Sequence, residues 1–472
     1  MDTEEFRHHG HTFVDWMADY LAGVEKYPVM AQVKPGEITA KLAPSAPEQG
    51  EPMEQIFADF QSQILPGITH WQHPSFFAYF PANSSPPSVL AEMLTATIAP
   101  QCMLWQTSPA ATEMETRVLD WLRQMTGLPE GLEGVIQDSA SSACLCALLT
   151  ARERATEWRG NQEGLGGMPA LCVYVSEQVH SSAEKDIMVA GLGRENLRKI
   201  PVDDDFAMLP DALEEAIQED MTAGRIPCCV IATLGSTGVG AVDPLRPIGE
   251  ICQRHGIYLH VDAAWAGSAL VLPEWRWIID GVEAADSFAF NPHKWLFTNF
   301  DCCAHFVRSG ADLVRTLNIL PTYLKTREGD QVIDYRNWSV PLGRRFRALK
   351  LWFVLRSYGV AEIRRRIASH IQMAGEVAAW MEAAEDFEIL APLSMALFNF
   401  RFHPKGVNDA AELDRLNERL LLALNDSGDL YLTQNNVRGA FAIRFAVGQT
   451  YTEPRHVAAA WQAIQNTAWN LA

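Results

Sequence analysis

The chain has 472 residues, of which 48% are hydrophobic and 20% charged, a composition typical of a globular protein with a large core. Its formal net charge of −20 argues against non-specific binding to nucleic acid or to an anionic membrane. No apolar run reaches the roughly 18 residues of a membrane-spanning helix, and the N-terminal residues lack a basic-then-apolar signal. Nine cysteines without a CxxC pair are typical of buried, reduced thiols, so we expect a cytoplasmic protein.

The first segment, residues 1–85, is predicted to form a helical arm. Residues 1–27 place apolar side chains near one helix face, and a second helix is predicted over about 53–65. Five prolines between positions 28 and 52 predict an extended stretch. Because the segment carries little core of its own, we expect it to pack on a second subunit.

Three histidines, His8, His9 and His11, lie close together in the first predicted helix. Clustered histidines suggest a metal site, but such sites need additional ligands, commonly cysteines or carboxylates. No such cluster accompanies them in the sequence. The pattern therefore favours a solvated helix face, and we expect no metal.

From about residue 113 to 308, predicted strands and helices alternate. The apolar runs that predict strands lie at 134–137, 171–175, 228–234, 257–262, 287–290 and 303–307. The helical stretches between them include 142–157, 210–223 and 244–255. This alternation predicts an α/β fold with a mainly parallel, doubly wound sheet in a large domain, residues 86–351.

The pattern changes after about residue 352, where a separate α+β domain, residues 352–472, is predicted. Its expected strands lie near 387–391, 396–402 and 440–446, with helices at about 361–384, 408–425 and 453–470.

A single lysine, Lys294, stands among aromatic side chains in the stretch DSFAFNPHKWLFTN, residues 286–299. Burial lowers the pKa of a lysine and frees its amine for attack on an aldehyde. The alternative is a lysine that extends its amine to solvent at a strand end.

An aspartate, Asp262, ends the predicted strand of GIYLHVDAA, residues 256–264. The carboxyl ends of strands are where open α/β sheets bind ligands. A carboxylate there can pair with the ring nitrogen of pyridoxal phosphate and keep the ring protonated. Asp262 could instead cap the next helix, but its occurrence together with Lys294 favours the cofactor.

Three further turns after predicted strands carry polar residues. Ser139, Ala140 and Ser141 open a helix, where free N–H groups suit a phosphate, although a plain N-cap by Ser139 or Ser141 explains them equally. His180 can stack on a planar cofactor or belong to a surface loop. Thr237, in LGSTG, can bind a cofactor or cap a turn; no lysine-serine pair follows, which excludes a nucleotide P-loop.

These motifs together resemble the pyridoxal-phosphate-dependent aromatic L-amino-acid decarboxylases, the group II decarboxylase family. The resemblance covers nearly the whole chain. It is carried by HWQHPSFFAYFP (70–81), SPAATEMETRVLDWL (108–122), GVIQDSAS (134–141), VHSSAEK (179–185), LHVDAAWAGSA (259–269), DSFAFNPHKWL (286–296), PTYLK (321–325) and PLGRRFRALKLWFVLRSYG (341–359). It implies the fold-type I, aspartate-aminotransferase-like fold, and a homodimer with shared active sites.

The resemblance also implies roles for individual residues. Lys294 matches the lysine that carries the cofactor, and Asp262 matches the partner of the ring nitrogen. His180 matches the histidine stacked on the ring, with Ala264 on the opposite face. The matches to the phosphate-side contacts are Ser139, Ala140, Ser141, Asn291 and His293. Thr237 matches a residue near the ring's 3′-oxygen, and Tyr323 the loop tyrosine thought to protonate the substrate carbon after CO2 leaves.

The resemblance assigns the substrate pocket less firmly. Its matches to the family's aromatic-ring pocket are Trp71, Tyr79, Phe80 and Pro81. These stretches contain no arginine that suggests binding of a second carboxylate, which argues against a glutamate decarboxylase. Gly343 matches a position where a larger residue narrows the pocket in some plant relatives, so glycine indicates room for an indole or a catechol.

The chain also departs from the family pattern. Ala82 replaces a common threonine, and Gln101 and Met103 stand where better-known animal members have an isoleucine and a phenylalanine contributed across the dimer. Asp138 and Ser142 replace the common glycine and glutamate beside the phosphate. We therefore expect a decarboxylase with activity on tryptophan, tyrosine, phenylalanine and DOPA, in an order that the sequence does not predict.

Two alternatives remain at this stage. An aromatic aldehyde synthase would use oxygen and form an aldehyde, but such enzymes typically lack the tyrosine or the histidine that stand here as Tyr323 and His180. A catalytically silent dimer would bind the cofactor without turnover.

Overall fold

The computed structural model describes residues 1–319 and 331–471, which fall into two compact units. The first, here called the arm unit, comprises residues 1–81, 373–390 and the chain from 399 onward. The second, here called the sheet unit, comprises residues 82–372 and 391–398. The three-domain division at 85 and 351 stays a prediction.

A seven-stranded sheet forms the centre of the sheet unit. Its strands are β1 (Glu133–Gln137), β2 (Leu171–Ser176), β3 (Leu197–Ile200), β4 (Ile226–Thr233), β5 (Tyr258–Asp262), β6 (Ser287–Phe290) and β7 (Cys303–Val307). They lie in the order β1-β7-β6-β5-β4-β2-β3, and β7 is antiparallel to both of its neighbours while the other pairs are parallel. The predicted mainly parallel α/β sheet is confirmed.

Helices cover this sheet and follow its strands. Those that begin in the sheet unit are α4 (Pro86–Ile98), α5 (Pro109–Thr126), α6 (Ala140–Ala155), α7 (Gly160–Glu163), α8 (Ser181–Val189), α9 (Pro210–Thr222), α10 (Leu245–His255), α11 (Pro292–Trp295), α12 (Gly310–Leu317) and α13 (Arg347–Glu382). The apolar face of α6 packs on the sheet and on α8, through fully buried side chains such as Leu148 and Ile187. This packing fixes the start of both helices at the carboxyl ends of β1 and β2.

The arm unit contains the remaining helices and most of a second sheet, of which residues 391–398 belong to the sheet unit. The helices are α1 (Thr3–Gly23), α2 (Glu37–Lys41), α3 (Met53–Asp59), α14 (Ala410–Ser427) and α15 (Pro454–Leu471). The second sheet has the order β10-β11-β9-β8, built from β8 (Phe387–Ser394), β9 (Leu397–Phe402), β10 (Thr433–Val437) and β11 (Ala440–Ala446). The prediction of an extended stretch was wrong for α2, which starts after Gly36 in the left-handed conformation, φ +86°.

Rings from α1 and the segment around α3 form an aromatic cluster in the arm unit. Trp16 lies 5.3 Å from Tyr20, 5.9 Å from Phe57 and 5.4 Å from Phe60, measured between ring centroids. Among the helices that the structure describes, none combines the length and the apolar character needed to cross a bilayer.

Candidate active site

Asp262 ends β5 at the carboxyl edge of the seven-stranded sheet. The preceding residues of β5 are buried, whereas Asp262 and Ala264 are only partly buried and alternate with buried neighbours. The Asp262 carboxylate accepts a hydrogen bond from the Ala264 N–H at 2.9 Å. Its carbonyl accepts from the Leu234 N–H at 2.8 Å, which ties the end of β5 to the end of β4.

Backbone hydrogen bonds on two sides hold Lys294. The Asn291 N–H donates to the Ala264 carbonyl at 2.8 Å, and the Lys294 N–H donates to the Asn291 carbonyl at 2.9 Å. On the other side, Asn83 donates through its backbone to the His293 carbonyl at 2.8 Å and through its amide to the Lys294 carbonyl. The position of the half-buried Lys294 side chain is therefore set by the turn after β6.

The charges of Asp262 and Lys294 both affect the His180 imidazole. It is the N-cap residue of α8, and its Nδ1 accepts from the Ser182 N–H at 3.2 Å, so the neutral ring carries its proton on Nε2. Desolvation lowers the pKa of the imidazole, the charge of Lys294 lowers this pKa further, and Asp262 opposes them. His180 is exposed in the described structure.

The buried thiol of Cys303 in β7 is affected by the same charged groups, Asp262 and Lys294. The pKa of Cys303 is raised mainly by burial, with smaller contributions from Asp262 and Asp138, and Lys294 lowers it. Asp138 directly precedes α6. The ends of β1, β5 and β6 therefore bring the start of α6, Asp262 and Lys294 together.

The first turn of α6 presents free backbone donors. The Ser139 hydroxyl accepts from the Ser142 N–H at 3.3 Å, and the Ser139 carbonyl accepts from the Ala143 N–H at 3.1 Å. No described residue accepts from the N–H groups of Ala140 and Ser141, which lie at the positive end of the helix dipole.

Two polar side chains after β6 are also suited to an anion. His293 is buried and its Nδ1 accepts from the Cys302 N–H at 2.9 Å, which leaves the ring proton on Nε2. Burial, aided by the Lys294 charge, lowers the pKa of His293 to about 3. The Asn291 amide is buried, and its oxygen has no partner among the described residues.

A family model described as "Pyridoxal-dependent decarboxylase conserved domain" matches residues 35–403. The chain belongs to this decarboxylase family. It is therefore a carboxy-lyase that uses pyridoxal phosphate, and the predictions of family, reaction class and cofactor are confirmed.

The decarboxylase is similar to plant proteins over its whole length. It is 43% identical to a phenylacetaldehyde synthase of Petunia hybrida, over 99% of this chain and 95% of that protein. It is 44% identical to tyrosine decarboxylase 1 of Narcissus pseudonarcissus, over 99% of this chain and 93% of that protein. A crystal structure of Oryza sativa TDC with PLP and tryptamine matches with a TM-score of 0.96 at 37% identity, covering 100% of this chain and 99% of that chain.

The residues at this edge of the sheet fit pyridoxal phosphate. The cofactor presents an aldehyde, a ring nitrogen that is cationic when protonated, and a phosphate. An amine, a carboxylate and free helix N-terminal donors lie at this edge, in Lys294, Asp262 and the first turn of α6. This donor set matches each of the three groups with the opposite charge or reactivity.

The loop after β4 also approaches this edge of the decarboxylase sheet. Thr237 is half-buried there. Gly235 has a φ of +76°, and a Cβ at this position would lie 2.6 Å from the Cβ of Ala266. Glycine is therefore required for the loop to pass so close to the segment after β5.

The predicted aromatic-pocket residues lie in the arm unit. The rings of Trp71 and Tyr79 stack with centroids 5.6 Å apart, and both residues are exposed. The Tyr79 hydroxyl lies 3.2 Å from that of Tyr431. Phe80 and Pro81 are buried, and a Cβ at Gly448 would lie 2.6 Å from the Phe80 ring.

The remaining predicted pocket residues belong to the sheet unit. Gln101 and Gly343 line a cavity of about 450 Å³, and the Gln101 amide oxygen accepts from the Arg344 N–H at 2.7 Å. A Cβ at position 343 would lie 3.3 Å from Nε2 of Gln101, so a larger residue would press on that amide. Ala82 and Met103 are half-buried, and Tyr323 lies outside the described residues.

Sequence reasoning missed three residues near these sites. Asn83 lies 211 positions before Lys294, so only the fold reveals their contact. Tyr431 extends the Trp71–Tyr79 pair from a segment with no recognisable motif. Nothing in the local sequence distinguishes Asp186 on α8 from an ordinary helix residue, yet it is buried. Burial is the largest cause that raises its pKa to about 7, and the charge of Asp262 contributes.

Proposed function

We propose that this decarboxylase converts aromatic L-amino acids, namely tryptophan, DOPA, tyrosine or phenylalanine, into the corresponding arylalkylamines and CO2. The observation that carries the proposal is that β5 and β6 pair side by side, so that Asp262 at the end of β5 and Lys294 in the turn after β6 lie at the same edge of the sheet. The plant relatives named for tyrosine decarboxylation, and the Oryza sativa structure with tryptamine, support an aromatic substrate.

Lys294, Asp262 and His180 are each proposed to have one task. Lys294 supplies the amine that attaches the cofactor, and Asp262 supplies the negative charge that keeps a proton on the ring nitrogen. His180 lies on the ring face and presents its Nε2 proton. When bound, pyridoxal phosphate supplies the electron sink that accepts the electron pair left by departing CO2.

The phosphate end is proposed to lie at the start of α6. The Ala140 and Ser141 N–H groups and the Ser139 hydroxyl would bind phosphate oxygens, with Asn291 and Nε2–H of His293 on the opposite side. Ala264 would pack under the ring, and Thr237 would hold its 3′-oxygen.

Tyr323 is proposed to deliver the proton to the substrate carbon, on the family resemblance alone. The expected consequence is that Tyr323→Phe shifts product from amine toward aldehyde. Equal amine yield from the Phe variant and the parent protein would exclude Tyr323 as the donor.

The aromatic ring of the substrate is proposed to be recognised by Trp71, Tyr79, Phe80, Pro81 and Ala82. Stacked aromatic faces bind indole and phenol rings alike, because both are flat and apolar. Gln101, Met103 and Gly343 are proposed as the second set of substrate contacts, contributed across a homodimer. A monomer with full activity in analytical ultracentrifugation and assay would contradict this shared site.

We also propose a cytoplasmic location. All nine cysteines are buried free thiols, which agrees with a reducing compartment.

The test is a product assay on purified protein loaded with pyridoxal phosphate. Tryptophan, DOPA, tyrosine, phenylalanine, histidine and glutamate are compared, and CO2, amine and peroxide are recorded together. Amine and CO2 in equal amounts from the aromatic substrates alone are expected. Turnover of glutamate in preference to every aromatic substrate would overturn the proposed substrate class.

A second candidate is oxidative conversion of the same substrates to aldehydes. The similarity to a phenylacetaldehyde synthase, at 43% identity, favours it specifically. Peroxide and aldehyde formed in step with CO2 in air would select this function. We favour the decarboxylase because both Tyr323 and His180 are present in the sequence.

A further inference from the structure

Two helices of the arm unit bring metal-binding side chains together outside the sequence motifs of the decarboxylase. His8 and His9 belong to α1, and Glu54 belongs to α3. One ligand atom from each of the three lies within 4.8 Å of the others. Nε2 of His9 is 3.7 Å from Oε1 of Glu54, longer than a hydrogen bond. The sequence alone shows no carboxylate partner for these histidines. The fold brings the Glu54 carboxylate to them from 45 residues away.

The surroundings of the cluster favour a cation. The three side chains line a cleft of about 520 Å³ together with three more glutamates, Glu4, Glu5 and Glu51. Arg7 pairs with Glu4 and the Met1 amine lies 3.9 Å from Glu5, which offsets part of this negative charge. A divalent ion would offset the repulsion among the glutamates, and its attraction to them is stronger at low ionic strength.

The donor set selects the class of metal. Two imidazole nitrogens and one carboxylate oxygen suit Zn²⁺ and its first-row neighbours, whereas Mg²⁺ and Ca²⁺ prefer oxygen ligands alone. Bonds of about 2.0–2.1 Å place tetrahedral ligand atoms roughly 3.3 Å apart. His8 and Glu54 are exposed, so rotation of their side chains can close the remaining distance without disturbing a core.

We propose that His8, His9 and Glu54 form a binding site for a divalent transition-metal ion, with Zn²⁺ as the reference ion and water completing the coordination. The bound ion joins α1 to α3 and so fixes the start of the arm. This site is independent of the cofactor cleft and of the reaction proposed above.

Competing ligands in the described part of the chain are weaker. The nine thiols are buried, and the other histidine–carboxylate contacts, such as His255 with Glu214 and His403 with Glu388, are pairs. No second group of three such side chains was found among residues 1–319 and 331–471.

The experiment is calorimetric titration of Zn²⁺ into the full-length, cofactor-loaded protein. We expect one equivalent per chain with a dissociation constant in the micromolar range. His9→Ala and Glu54→Gln should each weaken this binding at least tenfold. His11→Ala, on the same helix but outside the cluster, is the matched control and should bind as the parent protein does.

The visible absorbance of the bound cofactor, unchanged in all three variants, would show that the fold is intact. Binding that survives both His9→Ala and Glu54→Gln, or equal loss in His11→Ala, would overturn the site. The proposal would also fail if the parent protein bound no Zn²⁺ below millimolar concentration. None of these outcomes bears on the decarboxylation assay, which is performed without added metal.

Discussion

The two polar clusters of this decarboxylase differ in what holds their side chains in place. At the edge of the seven-stranded sheet, hydrogen bonds hold the backbone on both sides of Lys294 and the carboxylate of Asp262. On the arm, His8, His9 and Glu54 are held only by the helices that carry them, and a bound ion would have to order them.

This difference indicates how the protein divides its stability between regions. The sheet edge concentrates charged groups in a partly buried setting, which favours reactivity and costs stability. The contact between α1 and the segment around α3 depends on aromatic packing and contributes stability without taking part in the proposed reaction. Substitutions at the sheet edge should therefore change the chemistry and leave the fold intact, whereas substitutions in this aromatic packing should lower stability and leave the chemistry unchanged.

The largest effect is expected for Lys294→Ala. Loss of the amine proposed to attach the cofactor should reduce kcat by at least about a thousandfold, as for other positioned nucleophiles and bases. The visible absorbance of the lysine-bound cofactor should disappear, while circular dichroism stays unchanged. A retained chromophore would show that another lysine carries the cofactor.

Asp262→Asn should be nearly as severe, because it keeps the shape of the side chain and removes only its charge. Loss of one preorganised electrostatic group typically costs about a hundredfold to a thousandfold in kcat. The absorbance maximum of the bound cofactor should shift as its ring nitrogen loses the proton. An unchanged spectrum with an unchanged rate would remove Asp262 from the site.

Asp186→Asn should stabilise the cofactor-free protein above pH 7. Burial, the largest cause, and the charge of Asp262 raise the pKa of Asp186 from 3.8 to about 7. The folded state therefore binds this proton more tightly than the unfolded state, and the parent protein loses stability as pH rises from about 4 to above 7. The Asn variant lacks this loss, so its free energy of unfolding at pH 8 should exceed that of the parent protein by roughly 2–4 kcal/mol.

Urea unfolding at pH 5 and pH 8 measures this difference. Glu184→Gln on the same helix is the matched control, since Glu184 is paired with Arg194 at the surface. Equal effects of the two substitutions at both pH values would contradict the assigned titration.

Trp16→Ala should lower the stability of the protein and leave the chemistry at the sheet edge unchanged. Removing a ring that contacts Tyr20, Phe57 and Phe60 should lower the free energy of unfolding by about 1–2 kcal/mol. The absorbance of the bound cofactor should not change. Phe6→Ala, at an exposed position of the same helix, should have almost no effect on unfolding.

The smallest effect is expected for Asp138→Asn. The Asp138 carboxylate lies just before the first turn of α6, where it competes with the phosphate for the positive end of the helix. Removing its charge should tighten cofactor binding by about three- to tenfold at low salt and by less at high salt. Asparagine keeps an acceptor for the Ser139 hydroxyl. Weaker binding by the variant at low salt would show that the carboxylate helps to hold the phosphate loop.

The sequence predicted the central strands of both sheets, because buried strands need continuous apolar runs. It missed β3 and β10, which carry LRKI and TQNNV. Both lie at the edge of their sheets, where one side is free of a neighbouring strand and polar residues are tolerated.

The local sequence pattern also explains why some residues of the sites could be predicted and others could not. Asp262 and Lys294 stand out because each interrupts an apolar run. Asn83 and Glu54 act through contacts with residues 211 and 45 positions away, and nothing in their local sequence marks them. Only the folded chain shows which distant polar group reaches a turn or a histidine.

The antiparallel position of β7 determines when the cofactor cleft can assemble. β1 leads directly into the first turn of α6, and β1 enters the sheet by pairing with β7, residues 303–307. During synthesis, β2, β4 and β5 can pair as they leave the ribosome, but β1 must wait for a strand made about 170 residues later, and such distant pairing is slow. The first turn of α6, the proposed phosphate site, therefore takes its place only after β7 has been made, and loading of the cofactor follows translation of most of the chain.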